Sequence, residues 1–494
     1  MLIAAVDQGS SSTKGALLDE NGSVHARAEE PVEVTRGGAS ITHDPAQLLE
    51  SVDAVLAQLS RGRRPDGVAL ACQRSTCLLW DRATGAPLTR ALSWQDLSAH
   101  DRVAALGPHA DEVARRTGLR LTAHYAGAKL ARLLDDDPTA RPRAERGEVV
   151  AGTLDAFLVH GLTGEPTTEP GHAGRTLLYA LAEDRWDPEL ADLFGVPLAA
   201  LPTILPSAAP RGTLRRGPLA GVPLVALLGD QQAALVGDGG SGGDGRVAVV
   251  HFGTGAFVLT DTGATPRLHD GLLAAVTWSR AAAGGANLRR CQLEGSVNSA
   301  GSAVDWALRL GGLGTSELIA VGAQELDPER LPAFLPAFLG VGAPWWRGTP
   351  GAAIAGFDLA DGAVELLAAV LAGVAQRAVD CLEAFADGGL PPSMVRASGR
   401  LATLPALAGM VSDASGLPVE VVAEEEAGLR GTARLAAVAL GAAESVLARP
   451  PALAARRQPR WGAPRRDRVR ERWRAFLAAA AATPAPRGVP GRRD

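Results

Sequence analysis

Aromatic side chains are scarce, at 4% of 494 residues, and the chain holds only four cysteines and three methionines. Cys72, Cys77, Cys291 and Cys381 form no close CxxC pair and are too few for a disulfide-stapled secreted scaffold, so they read as reduced thiols in the cytoplasm. Neither sign of charge dominates. Forty-nine Lys and Arg against 54 Asp and Glu leave a net −5, which gives no case for a nucleic-acid or acidic-membrane partner. No segment reaches the length of a membrane span without a charge or a turn signal. The opening Met1-Leu2-Ile3-Ala4-Ala5-Val6-Asp7 lacks a basic leader and loses its apolar character at Asp7, as a first strand does and a signal peptide does not. What is present is ordinary soluble-globular composition, 46% hydrophobic and 21% charged, in a length suited to two or three domains.

The most informative stretch is Gly229-Asp230-Gln231-Gln232-Ala233-Ala234. An apolar run over 222–228 reads as a buried strand, and 231–236 as the first turns of a helix. Asp230 thus sits at a strand-to-helix junction, where open α/β sheets bind ligands. A carboxylate there serves as a helix N-cap or as a general base, and the junction alone leaves both open.

Two hairpins share one design. Strand 2–6 runs into Asp7-Gln8-Gly9-Ser10-Ser11-Ser12-Thr13-Lys14, returns over 16–19 and turns at Asn21-Gly22; strand 247–251 runs into Phe252-Gly253-Thr254-Gly255-Ala256 and returns over 257–260. Such turns offer backbone N–H groups and hydroxyls to a phosphate, or are simply surface hairpins; neither is a Walker loop. Their recurrence implies an old duplication, with the glycine-rich stretch 237–245 as a hinge between the halves. Asp44 and Pro45 start a helix over 46–59. Arg74 and Trp94, each at a strand end, form a candidate amphipathic pocket. Asp135-Asp136-Asp137 before Pro138 reads as a solvated helix end rather than a metal site. Further helices are expected over 364–385 and 424–442, and one near 467–481 before a disordered Arg/Pro-rich tail.

In this order the motifs resemble the FGGY carbohydrate kinases, most closely their glycerol kinase branch. The resemblance spans residues 2 to about 442. It rests on Asp7-Gln8-Gly9-Ser10, His43-Asp44-Pro45, Gln73-Arg74, Trp94-Gln95, the stretch around Asp230, Gly253-Thr254-Gly255, Glu294-Gly295 and Gly342-Ala343-Pro344-Trp345-Trp346. It implies an α/β, two-domain actin-like ATPase (ribonuclease-H-like) fold with a central interdomain cleft. The implied division is 1–242 for sugar and phosphate binding, 243–450 for nucleotide binding and 451–494 as C-terminal helix and tail. The implied activity is phosphorylation of a small polyol or sugar by ATP with Mg2+. Asp230 would be the base, and Asp7 would hold the metal. Ser10, Ser11, Ser12, Lys14, Thr254, Gly255, Gly301, Asp305, Gly399 and Arg400 would surround ATP. Arg74, Ser75, Trp94, His124, Tyr125, Gln231 and Phe257 would line the acceptor pocket. Members of the glycerol branch assemble as homodimers or homotetramers, though no stretch here specifies an interface. A xylulokinase-like pentulose kinase and a weakened sugar- or nucleotide-binding regulator are the competing readings.

The departures from the family pattern lie at the rims of both pockets. Ser75 stands where a Glu is usual, and His124 where a Tyr is usual, with Tyr125 one place later. Ser398-Gly399-Arg400 replaces an Asp-Gly-Gly run, and Leu404 replaces an Asn. Loss of the Glu is expected to move acceptor preference away from glycerol.

Overall fold

The computed structural model describes residues 1–19, 22–38, 40–61, 63–242, 246–282, 287–346, 351–423 and 426–482. The first half is built on a five-stranded sheet of β1 (Leu2–Gln8), β2 (Ser12–Asp19), β3 (Val24–Pro31), β4 (Gly67–Cys72) and β5 (Leu224–Gly229). The strand order is β5-β4-β1-β2-β3. Strands β1, β4 and β5 are parallel, and their register aligns Gln8, Cys72 and Gly229. Three strand ends therefore deliver their following residues to one place. These strands read as continuous apolar runs because both sheet faces are covered. Ala4 and Val6 pack with Leu48, Val52 and Val55 of α1 (Pro45–Leu59). The Asp44 carboxylate accepts from Ala46 N at the start of that helix, as its sequence requires.

Beside this sheet lies a smaller one, ordered Thr35–Gly37, Ser40–His43, Ala91–Leu92, Cys77–Asp81, Val149–Thr153. Residues 73–76 cross from β4 into it, and α2 (Ala126–Asp136) packs against its Cys77–Asp81 strand. After β5 comes α3 (Asp230–Gly237).

The second half repeats the plan. A seven-stranded sheet comprises β6 (Val247–Phe252), β7 (Ala256–Gly263), β8 (Leu273–Ala281), β9 (Asn287–Val297), β10 (Met394–Ser398), β11 (Val419–Val422) and β12 (Leu453–Arg457). Its order is β8-β9-β7-β6-β10-β11-β12. As β1 pairs antiparallel with β2 and parallel with β4, so β6 pairs antiparallel with β7 and parallel with β10. The helices are α4 (Gly301–Gly311), the long buried α5 (Ala363–Asp387), α6 (Ala427–Ala439) and α7 (Ala463–Ala482).

Helix α6 does not stay with its own half. It packs on β1, β4, β5 and α3, so that Leu429, Ala433, Leu435 and Ala436 share a core with Ile3, Ala5, Ala71 and Val236. The backbone of Ala208 bridges Ala226 of β5 and Arg280 of β8, tying the two sheets together.

Several expectations change. The glycines at 237–242 are not a loose hinge. A Cβ on Gly237 would stand 1.9 Å from the carbonyl oxygen of Ala427, and one on Gly240 2.6 Å from Leu235. Gly237, Gly239 and Gly240 are glycine because backbone and side chains press on them. The remainder of that stretch, 243–245, lies outside the described residues, as do Asn21, 424–425 and the tail 483–494. Nor is the segment after 450 only a helix and a tail. Strand β12 extends the second sheet, and Arg470 of α7 is buried against Asp380 and Glu383 of α5. Asp135 faces Arg102 and Arg141, consistent with a solvated helix end. Among the described residues no group of three His, Cys, Asp or Glu is placed to hold a metal, and no helix is long and apolar enough to cross a membrane. All four cysteines are buried and free.

Candidate active site

The aligned ends of β1, β4 and β5 place Asp7, Arg74 and Asp230 together. Arg74, 9% exposed, is the hub. Its Nε lies 3.0 Å from Asp230 Oδ1, Nη1 donates to Glu294 Oε2 at 2.7 Å, and Nη2 donates to Glu294 Oε1 at 3.2 Å. Glu294, on β9, also accepts from Arg175 Nη2 at 2.6 Å. Burial alone would raise the Glu294 carboxyl, but Arg175 and Arg74 outweigh it and hold the group down at about 2. The exposures separate the two carboxylates: Glu294 keeps 2% and is a buried anchor, whereas Asp230 keeps 35% and is open to solvent. Asp230 Oδ1 is occupied by Arg74 and by its own neighbour's amide, Gln231 N at 2.8 Å. Oδ2 receives only a long 3.4 Å contact from Gln231 Nε2 among the described residues. One oxygen fixes the carboxylate and the other stays available to accept a proton.

Asp7 is opposite Lys14 in the β1–β2 register. Gly428 of α6 lies over it, where a Cβ would stand 2.7 Å from Asp7 Oδ2. Burial pushes the Asp7 carboxyl up to about 7; Asp230 and Glu426 add to this, and Lys14 opposes it. Ser10 and Ser11 form the hairpin tip, Ser12 opens β2, and Gly9 N closes the turn on Ser12 O at 3.0 Å.

The expected acceptor pocket gathers around the crossover 73–76. Ring centroids of Trp94 and His124 are 5.7 Å apart, those of His124 and Tyr125 5.1 Å, and the Arg74 guanidinium lies 5.9 Å from the Phe257 ring. Burial, with Lys129, Arg175 and Arg74 assisting, pushes His124 down to about 3, so its ring is neutral. Ser75 is wholly buried at φ +66°, and its hydroxyl has no partner among the described residues. The Gln231 side-chain oxygen is likewise unpartnered.

In the second half, the carbonyl of Thr254 accepts from Ala300 N and Ser302 N, both at 3.0 Å, fastening the hairpin to the start of α4. Gly301 and Gly255 are forced by close backbone: added Cβ atoms would stand 2.6 Å from Gly253 O and 2.9 Å from Val297 O. Gly399, at φ +87°, sits with its Cβ position 2.5 Å from Phe252 O. Arg400 reaches Asp305 of α4 at 3.5 Å across an exposed surface. Leu404 is buried against Gly322 and turned into the core.

Sequence reasoning gave no role to Glu294, Arg175 or Lys129. Lys129 is wholly buried, and its Nζ donates to the carbonyls of Ser75, Ser93 and His124 at 2.9–3.1 Å. It binds together the three segments that carry the pocket side chains. A lysine amid the apolar face of α2 was the available signal.

Comparison with known proteins bears on the family and the fold. Models of the N-terminal and C-terminal domains of the FGGY family of carbohydrate kinases match residues 2–237 and 248–440. A glycerol kinase of Alcanivorax borkumensis is 34% identical over 454 residues, 89% of this chain and 90% of that protein. In structure the chain resembles Plasmodium falciparum glycerol kinase with ADP at TM-score 0.89 and 22% identity, covering 98% of this chain and 99% of that one. A xylulose kinase from Rhodospirillum rubrum gives TM-score 0.84 at 21% identity, covering 97% and 99%. The two-domain α/β fold expected from the motifs is the fold observed.

Proposed function

The chain belongs to the FGGY family of carbohydrate kinases, and from that premise we propose that it transfers the terminal phosphoryl group of ATP to a hydroxyl of a small polyol, in the manner of the glycerol kinases it resembles. The observation that carries the reading is the partly exposed Asp230 carboxylate, with one oxygen pinned by Arg74 and the other left with a single long contact. Phosphoryl transfer asks mostly for positioning and charge neutralisation. Arg74, Gln231 and the Trp94, His124 and Phe257 rings orient the acceptor, and Asp230 Oδ2 takes the proton of its hydroxyl. The two glycine hairpins, with Ser10, Ser11, Ser12, Lys14, Thr254 and Gly255, hold phosphates; Gly301, Asp305, Gly399 and Arg400 border the nucleotide.

The residues fit Mg2+. This ion takes one or two carboxylates plus waters and substrate phosphates rather than an all-protein cage. Asp7 is a half-buried carboxylate whose raised proton affinity reflects desolvation and the nearby charges of Asp230 and Glu426, an imbalance that a cation relieves. Bound there, Mg2+ would offset the negative charge of the phosphates. We place the enzyme in the cytoplasm, where its buried free thiols stay reduced.

The test is ADP release measured across glycerol, erythritol, ribitol, xylulose and ribulose, with Asp230→Asn as control. Turnover on a polyol is expected, falling at least about 10²-fold in Asp230→Asn while nucleotide still binds. An Asp230→Asn enzyme as active as wild type would remove Asp230 from the mechanism. Nucleotide binding without turnover on any acceptor would make the protein a binding regulator.

A further inference from the structure

His251 stands on β6 where Asp7 stands on β1: Val6-Asp7-Gln8-Gly9 and Val250-His251-Phe252-Gly253 occupy the same place in the repeated strand-and-hairpin plan. Its register partner on the parallel strand β10 is Ser398. The Ser398 hydroxyl lies 3.2 Å from His251 Nδ1. The other ring nitrogen, Nε2, makes no hydrogen bond among the described residues and lies 3.6 Å from the Cβ position of Gly253, against the foot of the glycine hairpin. The ring is half-buried, so Nε2 is not sealed in the core. Burial lowers the ring's proton affinity, against the pull of Asp238 and Asp230, which favours the neutral form. When the Ser398 hydroxyl donates to Nδ1 of a neutral ring, the proton resides on Nε2, and that nitrogen becomes a donor.

We propose that His251, oriented by Ser398, donates a hydrogen bond from Nε2 to the terminal phosphoryl group of the nucleotide, adding a side-chain contact to the second hairpin. This rests on the kinase reading above. It goes beyond that reading by naming which phosphate the second half of the chain recognises, and through which atom. A histidine held only for packing has no need of a nitrogen left open beside the hairpin.

The experiment is calorimetric titration of the full chain, in Mg2+, with ADP and with the non-hydrolysable ATP analogue AMP-PNP. Variants are His251→Ala, His251→Gln, His251→Asn and Ser398→Ala. Loss of a hydrogen bond to a charged group is expected to weaken AMP-PNP about ten- to hundredfold in His251→Ala, with ADP affinity unchanged. Gln places an amide nitrogen near the Nε2 position and is expected to recover most of the affinity. Asn reaches only the Nδ1 position, facing Ser398, and is not. Ser398→Ala, which frees the ring to rotate, is expected to fall between. Equal weakening of ADP and AMP-PNP, unchanged AMP-PNP binding, or rescue by Asn rather than Gln would each overturn the proposal. A wild type that binds neither nucleotide would overturn the kinase reading itself, and this inference with it.

Discussion

Glu294 shows how one buried charge can hold several segments of a candidate site together. Two arginines from different segments converge on it, and one of them, Arg74, also holds Asp230. Removing one member of a buried ion pair leaves the others uncompensated and costs about 3–5 kcal/mol. Glu294→Gln is therefore expected to lower stability by that order in denaturant titrations, and to loosen Asp230 by freeing Arg74. The sign of the pH dependence follows from the depressed carboxyl. Its ordinary value is 4.5 and in the fold it is about 2. The stability it contributes is complete above 4.5 and is lost as pH falls from there toward 2. Melting curves of wild type and Glu294→Gln should accordingly converge across that window; curves that stay parallel would count against the pairing. The chain has only two lysines, Lys14 and Lys129. One stands opposite Asp7 and the other ties three pocket carbonyls, while arginine serves nearly everywhere else.

At the scale of elements, α3 and α6 meet through glycine. A Cβ on Gly431 would stand 1.9 Å from Ala233 O, matching Gly237 against Ala427 O. Because α3 begins at Asp230 and α6 presents Gly428 to Asp7, their spacing sets the distance between the two carboxylates. Gly431→Ala is expected to destabilise by about 1–3 kcal/mol through overpacking and to lower kcat, read from thermal melts and steady-state rates together. An unchanged kcat would show that the spacing tolerates the shift. The same contact marks a limit of sequence reading. Glycine-rich text at 237–242 is consistent with a linker or with close helix packing, and only the partner helix, almost two hundred residues away, decides. The junction at Asp230 was legible from the apolar strand before it, whereas the roles expected of Asp7 and Arg74 came from the resemblance to the kinase family, since a polar residue near a strand end does not by itself name its chemistry. Glu294 entered only as half of the Glu294-Gly295 motif, without a role, because its neighbours Leu293 and Gly295 give no cue that two distant arginines meet it. The late helix was legible as a helix, but not its destination, since its periodicity names a buried face and not what buries it.

At the scale of the whole molecule, the two halves interlock. Ala208 bridges both sheets, Glu294 of the second half holds Arg74 and Arg175 of the first, and α6 roofs the first sheet. That roof has a consequence for synthesis on the ribosome. When Gly237 has emerged, the apolar face formed by Ile3, Ala5, Leu18, Ala71 and Leu228 still awaits a helix that ends at Ala439. At 5–20 residues per second, that gap of about 200 residues lasts on the order of 10–40 seconds. Throughout it, the nascent first half carries an open greasy surface and is a natural client for chaperones. Residues 1–242 expressed alone are expected to aggregate, and co-expression of a peptide spanning 427–448 should raise their soluble yield. Equal solubility with and without the peptide would mean that the first half finishes folding before its roof is made.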